Sequence, residues 1–321
     1  MRNKLFPGID GGASKTAGVL LDGEGRILGQ CKDGASAIEG KPSKKACAVL
    51  ASIVKKLCRK ANITRQNIHF CAIGLSGVDF PDEYSMQRKE IAKAIGILPR
   101  KLVLVNDGIV ALWGATPAPA AVILQHGTSY TDAFRARHGD EKCFDHLNVG
   151  KIFDLRRELL HLIARMIDGR AIRTPLKEKV LAHLGISSDT SYREKMYRRM
   201  IPLERIKTTL PLVFDAWLAG DPAIAPLIQQ AIDDYVLTIK AMIAKTGSDT
   251  PDVVFGGGVM TKAPGEFRNI LVERIRKDYP RAIVKLPDLP PEFGAAIMAA
   301  SKAGCEPALF FKKVLNSYRE I

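Results

Sequence analysis

Short apolar runs alternate with longer amphipathic segments along most of the chain. Residues 4–31 hold three apolar runs separated by glycine-containing turns, a pattern typical of antiparallel strands. Two more buried strands are predicted at 69–75 and 102–105, and apolar residues at helical spacing stand between the strands. The resulting order, β-β-β-α-β-α-β-α, predicts a mixed sheet with helices on both faces.

The same strand–turn–strand pattern returns about 115 residues further on. This repetition predicts two half-similar α/β domains with a cleft between them, at 1–116 and 117–321. The strands of the second domain are predicted at 121–124, 130–137, 141–144, 252–255 and 282–286.

Residues 152–247 separate those strands and show almost only helical periodicity. We interpret them as a helical insertion in the C-terminal domain. It is basic, with 14 Lys and Arg against seven Asp and Glu between 151 and 210. The helices are predicted at 152–167, 175–184, 192–200, 203–219 and 223–246.

Composition narrows the class of protein. The chain of 321 residues is 46% hydrophobic and 26% charged, as expected for a globular protein with a sizeable core. It holds no run of 18 apolar residues, and the apolar stretch before Asp10 is too short for a signal peptide. We therefore expect a cytoplasmic protein without a membrane partner. The six cysteines form no C-x-x-C pair, which favours structural thiols over a metal site.

The formal net charge of +14 raises the question of a nucleic-acid partner. The basic residues are dispersed, however, and aromatic residues make up only 7% of the chain. This distribution argues against nucleic acid. It favours attraction of polyanionic small molecules such as nucleotides.

The first turn, at 10–16, has the composition of a phosphate-binding loop. Gly11 and Gly12 lack a Cβ, so the turn can bring its N–H groups close to a ligand. Ser14, Lys15 and Thr16 add two hydroxyls and one cation. Asp10, at the strand end, could hold Mg²⁺ through water. The alternative is a plain hairpin turn, for which Asp-Gly and Gly-Gly are common signals.

Three further glycine turns follow predicted strands, at 74–77, 127–129 and 256–258. Ligands of α/β folds bind at the carboxyl ends of strands, so these turns are candidate parts of one site. Asp107 also ends a strand and begins a helix. It is either a helix N-cap or a general base for phosphoryl transfer, and Asn106 could supply the cap.

Taken in order, these motifs resemble the BadF/BadG/BcrA/BcrD-type ATPases, a group that includes N-acetylglucosamine and glucosamine kinases. The resemblance covers nearly the whole chain and implies two ribonuclease-H-like domains with a central cleft, as in actin and hexokinase. It also implies that the last helices pack back toward the N-terminal domain. The motifs are Asp10–Thr16, Ile73–Asp79, Asn106-Asp107, Gly127–Ser129, Phe255–Val259 and Pro291–Ala296.

The resemblance implies ATP and Mg²⁺ as cofactors, with Asp10 orienting the metal ion. Asp107 would be the catalytic base toward a sugar hydroxyl, and closure of the domains would exclude water. The implied ATP-binding residues are Gly11, Gly12, Ser14, Lys15, Thr16, Gly127, Thr128, Ser129, Gly256, Gly257 and Gly258.

The acceptor side departs from the family. A Gly-Gly-Trp-Gly stretch followed by Gly-Asp-Glu-Gly-Ser is usual in the sugar kinases. Residues 143–154 retain only Gly150 of it, and the second phosphate loop lacks one glycine of the usual Gly-Thr-Gly-Ser. The candidate residues for binding a small-molecule sugar are Ser76, Gly77, Asn106, Asp107, Asp145 and His146.

Three functions therefore compete at this stage. The leading one is an ATP- and Mg²⁺-dependent sugar or amino-sugar kinase. The second is a nucleotide-dependent regulatory or binding ATPase without a sugar acceptor. The third is a basic scaffold for nucleic acid. The identity of the acceptor, and the choice between monomer and homodimer, stay open.

Overall fold

A computed structural model describes residues 4–127, 130–150 and 153–320. The chain divides into two compact units. The first comprises Met1–Leu147, Ala241–Thr261 and Tyr279–Ile321, and the second comprises Asn148–Lys240 and Lys262–Asp278. Whether 1–116 and 117–321 act as separate domains stays a prediction.

Both β-sheets belong to the first unit. The strands are β1 (Leu5–Gly11), β2 (Thr16–Asp22), β3 (Ile27–Asp33), β4 (Cys71–Leu75), β5 (Leu102–Val105), β6 (Ala121–Gln125), β7 (Ala133–Arg135), β8 (Glu141–Cys143), β9 (Asp252–Gly256) and β10 (Ile283–Lys285).

The α-helices connect and cover these strands. They are α1 (Lys44–Lys60), α2 (Pro81–Ile95), α3 (Asp107–Ala115), α4 (Leu155–Ile167), α5 (Leu176–Leu184), α6 (Asp189–Tyr197), α7 (Leu203–Lys207), α8 (Leu210–Leu218), α9 (Ala225–Thr246), α10 (Gly257–Lys262), α11 (Gly265–Asp278), α12 (Pro291–Lys302) and α13 (Pro307–Arg319).

The two sheets share one topology. The first has the order β3-β2-β1-β4-β5, and the second, read from its other edge, has the order β8-β7-β6-β9-β10. In each sheet the first three strands are antiparallel and the last two run parallel to the central strand. The predicted mixed α/β architecture with an internal repeat is therefore confirmed.

The first sheet is buried on both faces because its apolar residues alternate between two cores. Phe6, Val19 and Ala72 face α3, α12 and α13. Leu20 and Ile73 face α1 and α2. This period of two follows from the pleat of a strand, which turns successive side chains to opposite faces.

Helices α3 and α12 cross in close contact, and each packs on the sheet that it does not directly follow. Helix α3 follows β5 yet contacts β6 and β7, and α12 follows β10 yet contacts β1 and β4. Glycines make this approach feasible. A Cβ on Gly294 would lie 2.1 Å from the carbonyl oxygen of Val110, and one on Gly8 would lie 2.2 Å from the amide nitrogen of Ala296.

The second unit is helical and has its own aromatic core. The Phe267 ring stands edge-on to Phe214 at 5.2 Å and to Tyr235 at 6.3 Å between centroids. The hydroxyl of the buried Tyr192 donates a 2.7 Å hydrogen bond to the carbonyl of Leu160. None of the helices among the described residues is long and apolar enough to cross a membrane.

One helix prediction in the second unit was wrong, and one helix of the first unit was not predicted. The single helix predicted at 203–219 is two helices, α7 and α8, because Pro211 has no N–H to continue the hydrogen-bond ladder. Between the two helices, the Thr209 hydroxyl donates to the carbonyl of Ile206 at 2.8 Å. The glycine turn at 256–258 begins a helix, α10, that its glycines had concealed.

Candidate active site

The carboxyl ends of three parallel strands in the first sheet bring together most residues singled out from the sequence. Asp10 on β1 pairs with Gly74 on β4, and Gly74 pairs with Val105 on β5. The residues that follow these strands, Ser76 and Asn106 among them, therefore lie at one edge of the sheet. This is the edge at which parallel α/β sheets bind ligands.

The first glycine turn is a hairpin whose tip points into solvent. The N–H of Gly12 donates to the carbonyl of Lys15 at 3.0 Å, and the Ser14 and Lys15 side chains are exposed. A Cβ on Gly11 would lie 2.3 Å from the Ser36 hydroxyl, so the turn requires glycine at that position. Hairpin and phosphate loop are thus compatible descriptions of the same turn.

Thr16 differs from its neighbours because its side chain points into the interior. It is fully buried, and its hydroxyl lies 2.7 Å from both the Gly34 carbonyl and the Ser36 hydroxyl. The structure therefore does not bring this hydroxyl to the surface with Ser14 and Lys15. Its contacts hold the loop after β3 against the hairpin.

Backbone hydrogen bonds join the end of β1 to the loop after β3 and to the end of β4. The N–H of Ser36 donates to the Gly12 carbonyl at 3.1 Å, and that of Ser76 donates to the Gly11 carbonyl at 3.0 Å. Gly77 has φ +97°, and a Cβ there would lie 1.8 Å from the carbonyl oxygen of Ile38. Ser76 and Gly77 thus shape the site through their backbone.

Asp107 occupies the first position of α3, and it is not the helix cap. Asn106 takes that role, since its side chain accepts a 2.8 Å hydrogen bond from the N–H of Gly108. Burial raises the pKa of Asp107 to about 6, although the Gly108 N–H lowers it, and the charge of Asp79 raises it further. A carboxylate with this pKa suits proton acceptance near neutral pH.

Two more carboxylates share the electrostatic surroundings of Asp107. Burial raises the pKa of Asp10 well above its usual range, and so do the charges of Asp107 and Glu292, whereas Lys15 lowers it. Burial likewise raises the pKa of Glu292, which Lys15 and Lys32 lower. Glu292 lies in the first turn of α12, inside a motif noted in the sequence, yet the sequence did not suggest a role for it.

The second sheet places two glycine turns side by side. Gln125 on β6 pairs with Gly256 on β9, so the turns that follow them are neighbours. Gly257 has φ +75°, and a Cβ there would lie 2.1 Å from the carbonyl oxygen of His126, whereas a Cβ on Gly258 would meet nothing within 4 Å. Gly127 begins the second predicted phosphate loop; Thr128 and Ser129 lie outside the described residues.

His126, which precedes that loop, is a packing residue. It is fully buried, lies 3.3 Å from Asp132 through Nε2, and stands edge-on to the Tyr130 ring at 4.3 Å between centroids. The N–H of Val259 donates to its carbonyl at 2.9 Å, which connects the turn after β6 to α10.

The two turn systems meet at the start of α3. A Cβ on Gly108 would lie 2.5 Å from the carbonyl oxygen of Thr131, which leads into β7. Asp107 is therefore adjacent to the connection that carries the second candidate phosphate loop. The candidate base and the candidate nucleotide turns thus form one continuous region of the first unit.

Asn106, the residue before Asp107, belongs to a cluster of polar side chains. Asn106 Nδ2 donates to Asp79 Oδ1 at 2.8 Å, and His146 Nε2 lies 3.2 Å from the same oxygen. The Cys143 thiol lies 3.1 Å from Asn106 Oδ1. Burial, with the charges of Asp107, Asp79 and Asp132, raises the pKa of Cys143, so the thiol stays protonated and can donate.

Asp145 belongs to the same loop and has an unusual backbone conformation. It has φ +46°, a conformation that non-glycine residues rarely adopt, and Asn148 has φ +55°. The resulting tight loop turns His146 toward Asp79. Asp79 and Cys143 were not predicted as site residues, because only the fold places them beside Asn106.

A family model matches the part of the chain that contains these motifs. The family model described as the BadF/BadG/BcrA/BcrD ATPase family matches residues 8–299.

The chain belongs to the BadF/BadG/BcrA/BcrD ATPase family. Two relatives match over nearly their whole length. An N-acetylmuramic acid/N-acetylglucosamine kinase from Clostridium acetobutylicum is 24% identical, over 93% of this chain and 99% of the relative. An N-acetyl-D-glucosamine kinase from Dictyostelium discoideum is 23% identical, over 93% of this chain and 98% of the relative.

A solved structure of a protein from Chromobacterium violaceum shares the fold of this family member. Its TM-score is 0.70 at 22% sequence identity, and the match covers 92% of this chain and 98% of that chain. The likeness supports the predicted fold class over that share of the chain.

Proposed function

We propose that this protein transfers the γ-phosphoryl group of ATP to a hydroxyl of a sugar or amino sugar. The observation that carries the proposal is the position of Asp107. It stands at the first residue of α3, released from capping by Asn106, between the glycine turns and the polar cluster. Its pKa of about 6 suits a general base.

The glycine turns form the nucleotide side of the proposed site. The first turn, with Ser14 and Lys15 at its exposed tip, lies against the β- and γ-phosphates. Gly127, Thr128 and Ser129 form the second phosphate loop, and Gly256–Gly258 lie against the adenosine. Thr16 shapes the first turn and makes no phosphate contact through its hydroxyl, which is buried.

The carboxylates beside the first turn suit a magnesium ion. Asp10 has a neighbouring acid in Glu292, and the mutual repulsion of their charges would be relieved by a divalent cation. Mg²⁺ is usually held by one or two carboxylates together with water and phosphate oxygens, which Asp10 and the bound ATP would supply. When bound, the ion neutralises charge on the phosphates.

Asp107 acts on the acceptor in this proposal. Its carboxylate accepts the proton of the acceptor hydroxyl while the hydroxyl oxygen forms a bond to the γ-phosphorus, and the bond to the departing ADP oxygen breaks. The acceptor is held by Asn106, Asp145 and His146, with Ser76 and Gly77 shaping its pocket. The two relatives act, by their names, on N-acetylated amino sugars, which makes these the first acceptors to test.

A regulatory or binding ATPase is the second candidate. It is favoured by one observation, the replacement of the acceptor motif of the sugar kinases in residues 143–154. Such a protein would hydrolyse ATP slowly, and a sugar would not accelerate it. ATP use belongs to both candidates, and the cytoplasm is the compartment that we propose for either.

An acceptor panel separates the two functions. ADP release is measured with Mg²⁺ and ATP, alone and with N-acetylglucosamine, N-acetylmuramic acid, glucosamine or glucose. We expect one sugar to raise ADP release at least about 100-fold over basal hydrolysis, because positioning of the acceptor dominates phosphoryl transfer. Equal rates with and without every sugar would contradict the kinase and favour the regulatory ATPase.

A further inference from the structure

Asp79 is a mostly buried carboxylate that the fold places in the polar cluster beside Asp107. It follows the turn after β4, and its side chain is 18% exposed. Oδ1 accepts the hydrogen bond from Asn106 and faces His146 Nε2. Among the residues that the structure describes, none donates a hydrogen bond to Oδ2, so half of the carboxylate is left to a ligand.

The packing of the fold does not explain why this residue is an acid. The Asn106 amide needs one acceptor oxygen, which an amide or hydroxyl side chain would also supply. The charge of Asp79 raises the pKa of Asp107, so an acid at this position acts on the candidate base in addition to its hydrogen bond with Asn106.

The loop after β8 places His146 beside Asp79. The positive φ angles of Asp145 and Asn148 make the loop tight and hold His146 against Asp79. The thiol of Cys143 ties the start of the loop to Asn106. A carboxylate oxygen of Asp79 thus stands 3.2 Å from the imidazole ring of His146, and both groups lie beside Asn106.

We infer that Asp79 is a specificity-determining residue for the acceptor. Its Oδ2 accepts a hydrogen bond from a sugar hydroxyl next to the one that attacks the phosphate, and the His146 ring contacts the neighbouring hydroxyl. The chemistry of this pair selects a polyhydroxylated acceptor with adjacent hydroxyls over a simple alcohol. This inference rests on the proposed kinase function.

The test compares Asp79→Asn and His146→Gln with wild type. The substituted amide oxygen still accepts from Asn106, so the fold is retained while the charge is lost. For the best sugar of the panel we expect Asp79→Asn to raise the acceptor KM about 10- to 100-fold, as for a lost hydrogen bond to a charged group. The KM for ATP and the melting temperature should stay near those of the matched surface control, Asp140→Asn.

Monodeoxy analogues of that sugar locate the contact. For wild type, the analogue that lacks the hydroxyl bound by Asp79 should have an acceptor KM raised by the same factor. For Asp79→Asn, that analogue and the parent sugar should have equal KM values. An equal loss in Asp79→Asn with every analogue, or a parallel rise in the KM for ATP, would overturn the inference. If wild type transfers phosphate to no sugar, the proposed function fails first, and the inference fails with it.

Discussion

The proposed nucleotide side and the proposed acceptor side of the candidate site differ in the groups that form them. Backbone forms the proposed nucleotide side, at turns where Gly11 and Gly257 leave no room for a Cβ. Side chains form the proposed acceptor side, where Asp79 lies within 3.2 Å of Asn106 and His146. Asp107 stands at the junction, at the first residue of α3.

This difference has a physical consequence for the reaction. Triphosphates present many equivalent oxygens, which repeated backbone N–H groups can bind without specific side chains. A sugar presents hydroxyls in a fixed arrangement, and individual polar side chains must match them. Changes at the turns should therefore act on ATP or on folding, whereas changes in the cluster should act on the acceptor.

The largest effect is expected from Asp107→Asn, which removes the base at the junction. We expect phosphoryl transfer to fall about 10²- to 10⁴-fold, the usual contribution of general base catalysis, with ATP affinity nearly unchanged. Rapid-quench kinetics and calorimetric titration with a non-hydrolysable ATP analogue measure the two quantities. Transfer at the wild-type rate would remove Asp107 from the mechanism.

The stability of the same variant provides its control. Burial raises the pKa of Asp107 to about 6, so above that pH the folded protein carries a buried negative charge that lowers its stability. Between roughly pH 4 and pH 6 the folded state holds the proton more tightly than the unfolded state, and stability falls as pH rises. Asp107→Asn should therefore be more stable than wild type at neutral pH, by about 1–3 kcal/mol in denaturant titrations, and equal to it below about pH 4.

The pH profile of the wild-type enzyme should show the same group. Below about pH 6 the carboxyl group is protonated and accepts no proton, so kcat/KM for the acceptor should fall about tenfold per pH unit there. In Asp79→Asn the midpoint should move to lower pH, because one neighbouring negative charge is gone. A midpoint near pH 4 in wild type would conflict with the buried setting of Asp107.

Alanine substitutions at two adjacent glycines, Gly257 and Gly258, should have smaller effects that differ from each other. Gly257→Ala places a Cβ at positive φ and against the His126 carbonyl, so we expect a loss of more than about 1 kcal/mol in the free energy of unfolding. Gly258→Ala meets no protein atom, so stability should be unchanged while the KM for ATP rises. Thermal melting and kinetics test both; equal melting temperatures would contradict the difference.

The first turn offers a second pair of variants, and its exposed member, Ser14→Ala, has the smallest effect on stability that we expect. Thr16→Val leaves the polar groups around its buried hydroxyl unpaired, which should cost about 1–3 kcal/mol of stability. Ser14→Ala is exposed and should change stability by no more than about 0.5 kcal/mol while raising the KM for ATP. The prediction fails if Ser14→Ala is the less stable of the two in chemical denaturation.

The difference between backbone turns and side-chain contacts also explains how much of the site could be predicted from the sequence. The strands, the repeated sheet and the glycine turns follow from local patterns, since period-two alternation and missing side chains are visible in a few residues. Asp79, Cys143 and Glu292 escaped because each meets its partners across a gap in sequence that only the fold closes. The inward turn of Thr16 escaped for the same reason, since Ser36 lies on another loop.

The most direct test of the account counts products. Wild type and Asp107→Asn are incubated with ATP, Mg²⁺ and N-acetylglucosamine, and sugar phosphate and ADP are quantified together by ³¹P NMR. For wild type the account predicts one sugar phosphate for each ADP released, and for Asp107→Asn almost none of either. ADP that forms without sugar phosphate, at the same rate in both proteins, would contradict it.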